Sequence, residues 1–227
     1  MKAYYPNLAL AYYVHALPEY GLVYIKNPKA GCSTVLGWLS RLHSGQDDYR
    51  PKNVHTQHPL PRAAELGWPR ISRMLGGEAY RFTFVRNPLR RLESAYRDKI
   101  VRAVRSQYRD KIRRSLGLPP GSEEPLSFEQ FLAALKQQDP VTEMDPHWRP
   151  QHVNLMHPLI EYDRIGKLEN FDADLAKIRE EAGIREVPAE KRNIRRTADH
   201  GSVYDGRPDL ERQVREIFAS DFELYGY

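Results

Sequence analysis

The strongest constraint on the fold is one junction, at which a short apolar run passes through a polar loop into an amphipathic helical pattern. The run is GLVYIKN (residues 21–27), the loop is PKAGCST, and Val35, Leu36, Leu39 and Leu42 then recur at helical spacing. An apolar run without polar alternation is typical of a strand that is buried on both faces. Strands of this kind are joined by helices in parallel sheets, so the junction predicts an α/β protein.

Two later segments extend this interpretation. AYRFTFVRNP (residues 79–88) alternates bulky apolar and polar side chains and predicts a second strand, and LIEYDRIGKLE (residues 159–169) predicts a third. Strands separated by helices favour a parallel sheet flanked by helices on both faces. No shift in composition marks an internal boundary, so we predict one domain over residues 1–227.

Start and stop signals define the expected helices. Ser33 or Thr34 is predicted to cap the first helix, and Gly45 is predicted to end it. The other predicted helices are a long basic helix over residues 89–116, one opened by the capping box Ser127–Gln130, one over residues 172–182 closed by Gly183, and one from Asp209 onwards. These helices supply the long connections that parallel strands require.

Cysteine content and the N-terminal sequence bear on the compartment. Cys32 is the only cysteine, so the chain forms no intramolecular disulfide, and no charged-then-apolar signal segment stands at its start. The apolar run LALAYYVHAL is about half as long as a bilayer requires. We therefore expect a cytoplasmic protein with no membrane span.

Positive charge is concentrated in one block. The net charge is +5, but residues 86–114 contain eleven Lys or Arg residues against three Asp or Glu residues. A local basic block indicates an anionic partner. Charge alone does not decide between a nucleic acid, another polyanion and a small phosphate compound.

The loop after the first strand has the chemistry of an anion site. A helix N-terminus presents unpaired N–H groups and a partial positive charge, which favour a bound anion. Gly31 allows the main chain to approach a ligand closely, Lys29 adds a charge, and Ser33 and Thr34 add hydroxyl donors. The loop therefore predicts a site for a phosphate-like group, with an ordinary loop and helix cap as the alternative.

The loop differs from the phosphate loop of nucleoside triphosphatases. That motif places lysine directly after its last glycine, whereas Lys29 stands two residues before Gly31. No Asp suited to holding Mg²⁺ follows the second strand. The pattern therefore disfavours nucleoside triphosphate chemistry without excluding it.

A second candidate anion site follows the second predicted strand, in FVRNPLRRLESAYRDK. Arg86 stands at the strand end, and Ser94 lies eight residues later, a little over two helical turns away. Arg86 is suited to bidentate contact with a phosphate, and Ser94 to a further hydrogen bond. The alternative is a solvated basic helix in which Arg86 pairs with a carboxylate. Because parallel strands end at one edge of a sheet, one ligand with two anionic groups would satisfy both sites.

Four ordered blocks of the sequence resemble the membrane-type carbohydrate sulfotransferases, the group that includes the chondroitin enzymes. PKAGCST resembles that family's 5′-phosphosulfate loop, and FVRNPLRRLESAYRDK resembles its 3′-phosphate motif. MDPHWRPQ (residues 144–151) and IEYDRIGKLENF (residues 160–171) resemble two further family blocks. The similarity extends from about Val23 to about Phe171 and is looser in the C-terminal segment.

The resemblance implies a donor, a fold and a set of contacts. The donor is 3′-phosphoadenosine 5′-phosphosulfate, and the fold is nucleotide-kinase-like, or P-loop-like. The sulfuryl group passes to a hydroxyl or an amine, and we expect a hydroxyl of a carbohydrate-type acceptor. Neither a metal nor a nucleic-acid partner is implied. The implied cofactor-binding residues are Lys29, Ala30, Gly31, Cys32, Ser33, Thr34, Arg86, Ser94 and Arg196, the last within the RNIRRT run at residues 192–197.

The reaction needs a group that removes the acceptor's proton, and histidine suits this role near neutral pH. Family members often place the catalytic histidine between the two cofactor motifs, where His55 fits the offset from Arg86 better than His58. His147 belongs to a family block and is a third candidate. Lys29 is predicted to stabilise charge on the departing phosphate oxygen. Cys32 as a covalent nucleophile is a weaker hypothesis, because direct transfer needs no covalent intermediate.

Two other functions fit parts of the pattern. One is an ATP-dependent kinase of a small molecule, and the other is a non-enzymatic binder of nucleic acid or another polyanion through residues 86–114.

Eukaryotic relatives have an N-terminal membrane anchor and several cysteines, which this sequence lacks. That departure suggests a soluble bacterial member of the family and leaves the acceptor and the oligomeric state open.

Overall fold

A computed structural model describes residues 10–103, 106–185, 187 and 201–227. The described residues form two compact units. The first unit contains residues 10–85 and 154–187, and the second contains residues 86–153 and 201–227. The expected single domain over residues 1–227 stays a prediction.

The regular elements follow in chain order. The strands are β1 (Val14–Leu17), β2 (Leu22–Ile25), β3 (Tyr80–Val85) and β4 (Arg164–Lys167). The α-helices are α1 (Leu10–Tyr13), α2 (Cys32–Ser44), α3 (Ala63–Leu66), α4 (Trp68–Arg73), α5 (Pro88–Tyr96), α6 (Gln107–Ser115), α7 (Phe128–Leu135), α8 (Gln151–Asn154), α9 (Phe171–Glu181), α10 (Pro208–Ile217) and α11 (Ala219–Tyr225). Short 3₁₀ segments occupy Pro18–Tyr20 and Leu168–Asn170, and π-helical segments occupy Met74–Glu78 and Arg97–Val101. Within the described residues, no helix combines the length and the apolar character that crossing a bilayer requires.

The first unit is built on a four-stranded mixed sheet in the order β1-β2-β3-β4. β2, β3 and β4 are parallel, which confirms the α/β class and the three predicted strands, and β1 adds an antiparallel edge. β1 was missed because it is only four residues long and lies within an apolar run that gave no strand signal. At the sheet's end, the Asn27 side chain donates to the Phe84 carbonyl at 3.0 Å and ties the ends of β2 and β3 together.

Aromatic side chains form the core between this sheet and its helices. Tyr24, Phe82, Phe84 and Phe171 follow one another at ring-centroid distances of 4.7–6.5 Å. A Cβ atom at Gly166 of β4 would lie 2.6 Å from the Phe84 ring, so only glycine fits there. The glycine of the IGK sequence therefore serves packing.

Helix α2 starts two or three residues earlier than predicted. Gly31 is the N-cap of α2, and neither Ser33 nor Thr34 caps it, so that prediction is wrong. The reason is the left-handed backbone of Gly31, at φ 81°, which turns the chain without a side-chain cap. Gly45 ends α2 in the left-handed conformation, as predicted.

The second unit contains an interruption where one long basic helix was predicted. After α5, the chain forms the π-helical segment Arg97–Val101, and α6 begins anew with Ser106 as its N-cap. The Ser106 hydroxyl accepts from the Arg109 N–H, which offers the backbone an alternative to a continuous helix. The prediction of one helix over residues 89–116 is therefore wrong.

The rest of the second unit follows the helical signals more closely. The Ser127–Gln130 capping box opens α7 as predicted, whereas the expected C-terminal helix divides into α10 and α11 at Phe218. An apolar core joins these helices and includes Leu92, Phe131, Trp148, Leu210 and Val214.

Candidate active site

The loop between β2 and α2 is tightly wound. Lys29 has a left-handed backbone at φ 70°, which is uncommon for a residue with a side chain and marks local strain. A Cβ atom at Gly31 would lie 2.8 Å from Leu168 Cδ1. Glycine is therefore favoured at this position by its left-handed φ, and a side chain here would also displace the end of the Leu168 side chain.

The loop leaves main-chain donors at the start of α2. The Thr34 N–H donates to the Gly31 carbonyl at 2.9 Å, so it is already used. Within the described part of the chain, the N–H groups of Gly31 and Cys32 have no acceptor. The sequence predicted four donors from Gly31 to Thr34, and the structure narrows the available set to the first residues of the turn.

The predicted base lies next to this loop. The Ser33 Oγ and the His55 Nε2 are 2.9 Å apart, within hydrogen-bonding distance. The His55 N–H donates to the Asn53 side chain at 3.0 Å, which fixes the segment that holds the imidazole. Ser33 and residues 50–55 line an open pocket of about 330 Å³. The structure thus brings together two of the predicted site residues, and their catalytic roles stay predictions.

His58, the second candidate base, has a more enclosed environment. It is half-buried, and its Nδ1 has no hydrogen-bond partner among the described residues. Burial, followed by the positive charge of Lys26, lowers the pKa of His58. The imidazole ring contacts His15 edge-on at 5.3 Å between centroids.

The second motif begins directly after β3, in the second unit. Arg86 is half-buried, and the Gln151 side chain holds its main chain from both sides. Gln151 Oε1 accepts from the Arg86 N–H at 2.9 Å, and Gln151 Nε2 donates to the Arg86 carbonyl at 2.8 Å. Ser94 lies in α5 and is half-buried. Its predicted hydrogen bond to a phosphate stays a prediction.

Sequence reasoning missed the residues that support Arg86. The Asp221 carboxylate is fully buried, accepts from the main-chain N–H groups of Gln151 and His152, and lies 2.8 Å from His152 Nδ1. Asp221 was hidden in a C-terminal helical pattern, and Gln151 was the last residue of a recognised block. Only their contact in space shows that they fix the main chain of Arg86.

His147, the third candidate base, is paired within its own loop. Its Nδ1 lies 2.6 Å from the Asp145 carboxylate. Burial raises the pKa of Asp145, but the hydrogen bonds from His147 outweigh burial and hold the pKa below its ordinary value. This pair explains the position of His147 without a ligand, and its role in the acceptor site stays a prediction.

The basic block is less available to an anionic partner than its charge suggested. Arg91, Arg109 and Arg113 are buried, and each donates to main-chain carbonyls. Arg97 pairs with Glu93. Much of the local charge therefore stabilises the fold, which weakens the interpretation of this block as a polyanion surface.

Two further predictions have different outcomes. Arg196 and the run at residues 192–197 lie outside the described residues, so their role stays a prediction. Burial raises the pKa of the Cys32 thiol. A raised thiol pKa disfavours the nucleophile hypothesis, since the thiolate is the reactive form.

Comparison with known proteins places the chain in a family. The family profile described as the sulfotransferase family matches residues 14–227. The chain therefore belongs to the sulfotransferase family, which confirms the resemblance drawn from the four blocks and the P-loop-like fold class.

Several carbohydrate sulfotransferases are similar to the chain over most of its length. Carbohydrate sulfotransferase 11 of Mus musculus is 27% identical over 242 residues, covering 92% of this chain and 65% of the relative. Carbohydrate sulfotransferase 14 is 31% identical over 224 residues in Homo sapiens and 36% identical over 228 residues in Danio rerio, with 92% of this chain covered in both cases. The chain spans 58–65% of the length of these three relatives. No solved structure matches it significantly.

Proposed function

We propose that the protein transfers a sulfuryl group from 3′-phosphoadenosine 5′-phosphosulfate to a hydroxyl of a carbohydrate acceptor. Membership of the sulfotransferase family and the names of the similar proteins support the reaction class and the acceptor class. The donor is implied by the resemblance of the two cofactor motifs. An ATP-dependent kinase is no longer favoured, because the family match covers the same loop.

The observation that carries the proposal is the contact between Ser33 and His55. Ser33 belongs to the loop that resembles the phosphosulfate site, and the His55 imidazole lies 2.9 Å from its hydroxyl. A general base must lie within hydrogen-bonding reach of the proton that it removes. An acceptor hydroxyl entering the pocket beside Ser33 would lie within reach of His55 and next to the transferring group.

In this mechanism the acceptor oxygen forms a bond to sulfur as the bridging sulfur–oxygen bond to phosphate breaks. The acceptor proton passes to His55, and the electron pair of the broken bond stays on the departing phosphate oxygen. Lys29 and the main-chain donors of Gly31 and Cys32 stabilise that developing charge. The second product is adenosine 3′,5′-bisphosphate.

The 3′ end of the donor is assigned to the second motif. Arg86 and Ser94 bind the 3′-phosphate, and Gln151 keeps the main chain of Arg86 in position. Preorganised contacts of this kind reduce the entropy lost when the ligand binds.

The cytoplasmic location and the independence from metal also remain proposals. Turnover that is unchanged by a chelator would support the independence from metal.

Substitution of His55 tests the base. The variant His55→Ala is expected to lose about 10²–10⁴-fold in turnover, the usual contribution of a general base. His43→Ala is the matched control, because His43 lies on α2, pairs with Glu19 and is outside the pocket. If His55→Ala keeps near-normal turnover with an intact fold, His55 is not the base.

Calorimetric titration with adenosine 3′,5′-bisphosphate tests the cofactor. The wild-type protein is expected to bind it, and Arg86→Ala is expected to weaken binding about 10-fold or more, since a charge-assisted phosphate contact is lost. Arg90→Ala is the control, because Arg90 is exposed four residues away. Equal affinities in all three proteins would remove Arg86 from the site.

A further inference from the structure

A group of basic side chains near the Lys29–Thr34 loop has no role in the chemistry above. His15 lies in β1, Lys26 directly follows β2, and His58 lies in the loop before α3. His15 is 6% exposed, Lys26 is 3% exposed and His58 is half-buried. Basic side chains are seldom buried unless a partner replaces their hydration, so this group requires an explanation.

The sheet brings these side chains together. His15 and Tyr24 are directly opposite each other in the β1–β2 register, and their rings stack at 6.1 Å. His58 contacts His15 edge-on at 5.3 Å. The Lys26 Nζ lies 3.2 Å from the centre of the Tyr12 ring, a cation–π contact that offers no hydrogen-bond acceptor oxygen.

Three polar atoms of this group lack partners. His15 Nε2, Tyr24 Oη and His58 Nδ1 are buried and form no hydrogen bond within the described residues. Native proteins satisfy nearly all buried polar groups, and the exceptions usually contact an ordered water or a bound ligand. His15 carries one of these atoms and its ring contacts the two side chains that carry the others, which indicates one shared occupant.

The charge of the group indicates what that occupant is. Burial lowers the pKa of Lys26 to about 8, and the acidic group acting on this lysine is the Cys32 thiol. Burial and then Lys26 lower the pKa values of both histidines.

Other bases also act on the two histidines. His58 and His55 further lower the pKa of His15, and Arg62 further lowers that of His58. The charged groups that act most strongly on the two imidazoles are thus themselves basic. A bound anion would favour the charged forms of these bases, whereas water would not.

We propose that His15, Lys26 and His58 form an oxyanion site for a sulfate-type group beside the phosphosulfate loop, with the Tyr24 hydroxyl as a further donor. The anion's source is either the sulfuryl group of the donor or an anionic substituent of the acceptor. Only this choice of source rests on the proposed function. The site itself follows from the contacts and the missing partners.

Titration of the nucleotide-free protein with sodium sulfate at constant ionic strength tests the site. The ¹⁵N resonances of His15 and His58 are expected to shift saturably, and those of His43, which pairs with Glu19, are not. Sulfate is expected to bind more tightly at about pH 6 than at about pH 8, because Lys26, whose pKa is lowered to about 8, is charged at pH 6 and only partly charged at pH 8. If sulfate moves neither histidine, the occupant is ordered water and the proposal fails.

Substitution of lysines distinguishes sulfate binding at this site from nonspecific attraction of sulfate to positive charge. Lys26→Met is expected to weaken sulfate binding about 10-fold or more, the loss of one charge-assisted contact. Lys177→Met removes an equal charge from an exposed position on α9 and is expected to bind as the wild type does. His58→Gln, at the least buried position, is a second variant in case Lys26→Met unfolds. Unchanged affinity in folded Lys26→Met, or in His58→Gln where Lys26→Met unfolds, would overturn the proposal.

The source of the anion is tested with nucleotides. If the site takes the donor's sulfuryl group, 3′-phosphoadenosine 5′-phosphosulfate competes with sulfate, whereas adenosine 3′,5′-bisphosphate does not. If it takes an acceptor group, neither nucleotide competes. Failure of both nucleotides to bind at all would contradict the proposed function while leaving the sulfate result intact.

Discussion

Buried positive charge occurs in both units, but its surroundings differ. In the second unit, the guanidinium groups of Arg91, Arg109 and Arg113 donate to main-chain carbonyls. In the first unit, Lys26 contacts an aromatic ring, and the neighbouring His15 has a ring nitrogen without a partner. The buried guanidinium groups of the second unit thus have main-chain acceptors, although Arg113 Nε lacks a partner within the described residues, whereas no acceptor oxygen contacts Lys26 Nζ there.

This difference distinguishes structural charge from charge that is available to a ligand. A guanidinium group that bonds to carbonyls replaces most of its lost hydration within the protein. A buried ammonium or imidazole group without such bonds is costly and is retained where it serves binding or catalysis. The buried arginines of the basic block are therefore structural, and the inconspicuous lysine after β2 becomes a candidate for ligand binding in addition to Lys29 and Arg86.

The largest expected effect is on the structural side of this comparison. Arg91 Nη1 donates to the Arg149 carbonyl at 2.8 Å, and Nη2 donates to the Pro146 carbonyl at 3.1 Å. A buried group that loses its partner costs about 1–3 kcal/mol. We expect Arg91→Met to lower the free energy of unfolding by about 3 kcal/mol, measured by urea denaturation.

Arg90→Met is the matched control for that measurement. Arg90 is the preceding residue and is exposed, so its substitution is expected to change the free energy of unfolding by about 0.5 kcal/mol or less. If both variants unfold at the wild-type urea concentration, the buried arginines do not stabilise the second unit. The interpretation of these arginines as structural would then be wrong.

Much of the fold was predictable because apolar periodicity determined it. β2, β3 and β4 are short runs without helical spacing, and all three were identified. The errors in the predicted elements have local causes. The Ser106 hydroxyl starts a new helix where spacing alone favoured continuation, and β1 is too short to give a signal.

The candidate site was predictable where it depends on a motif. The loop at residues 29–34 and His55 follow from spacing and from family resemblance. Gln151 and Asp221 were not predictable, because their contribution depends on contacts between segments 70 residues apart. Lys26 did carry a signal, a charged residue at the end of a buried apolar run, and it was overlooked in favour of Lys29.

The second prediction concerns the pH dependence of stability in the first unit. Burial lowers the pKa of Lys26 from 10.5 to about 8. Between these values the unfolded chain binds a proton that the folded protein does not bind, so this lysine makes stability rise with pH. From pH 8 to about pH 10, its contribution to the free energy of unfolding is expected to increase by about 2 kcal/mol.

Lys26→Met isolates this contribution. Cys32 and Tyr24 also titrate in alkaline solution, with raised pKa values that act in the opposite direction. Because Lys26 lowers the pKa of Cys32, both proteins are compared with Cys32→Ala in place, and Tyr24 is present in both. We therefore expect the difference in unfolding free energy between wild type and variant to change across the window. An equivalent comparison for Arg91→Met should show no such change, because arginine does not titrate there. A constant difference for Lys26→Met would mean that this lysine is solvated like an exposed one.

The smallest expected effect is that of His15→Phe. The phenyl ring keeps the stacking on Tyr24 and the edge contact with His58. It removes Nε2, which lacks a partner, together with a main-chain hydrogen bond to Tyr12 that favours the charged imidazole. Removing an unsatisfied polar atom stabilises the fold, and losing one hydrogen bond costs about 1 kcal/mol, so the two effects nearly cancel. We expect a change in unfolding free energy below about 1 kcal/mol, together with weaker sulfate binding. A loss of several kcal/mol in urea denaturation would show that His15 is satisfied within the fold, which would place it with the structural arginines.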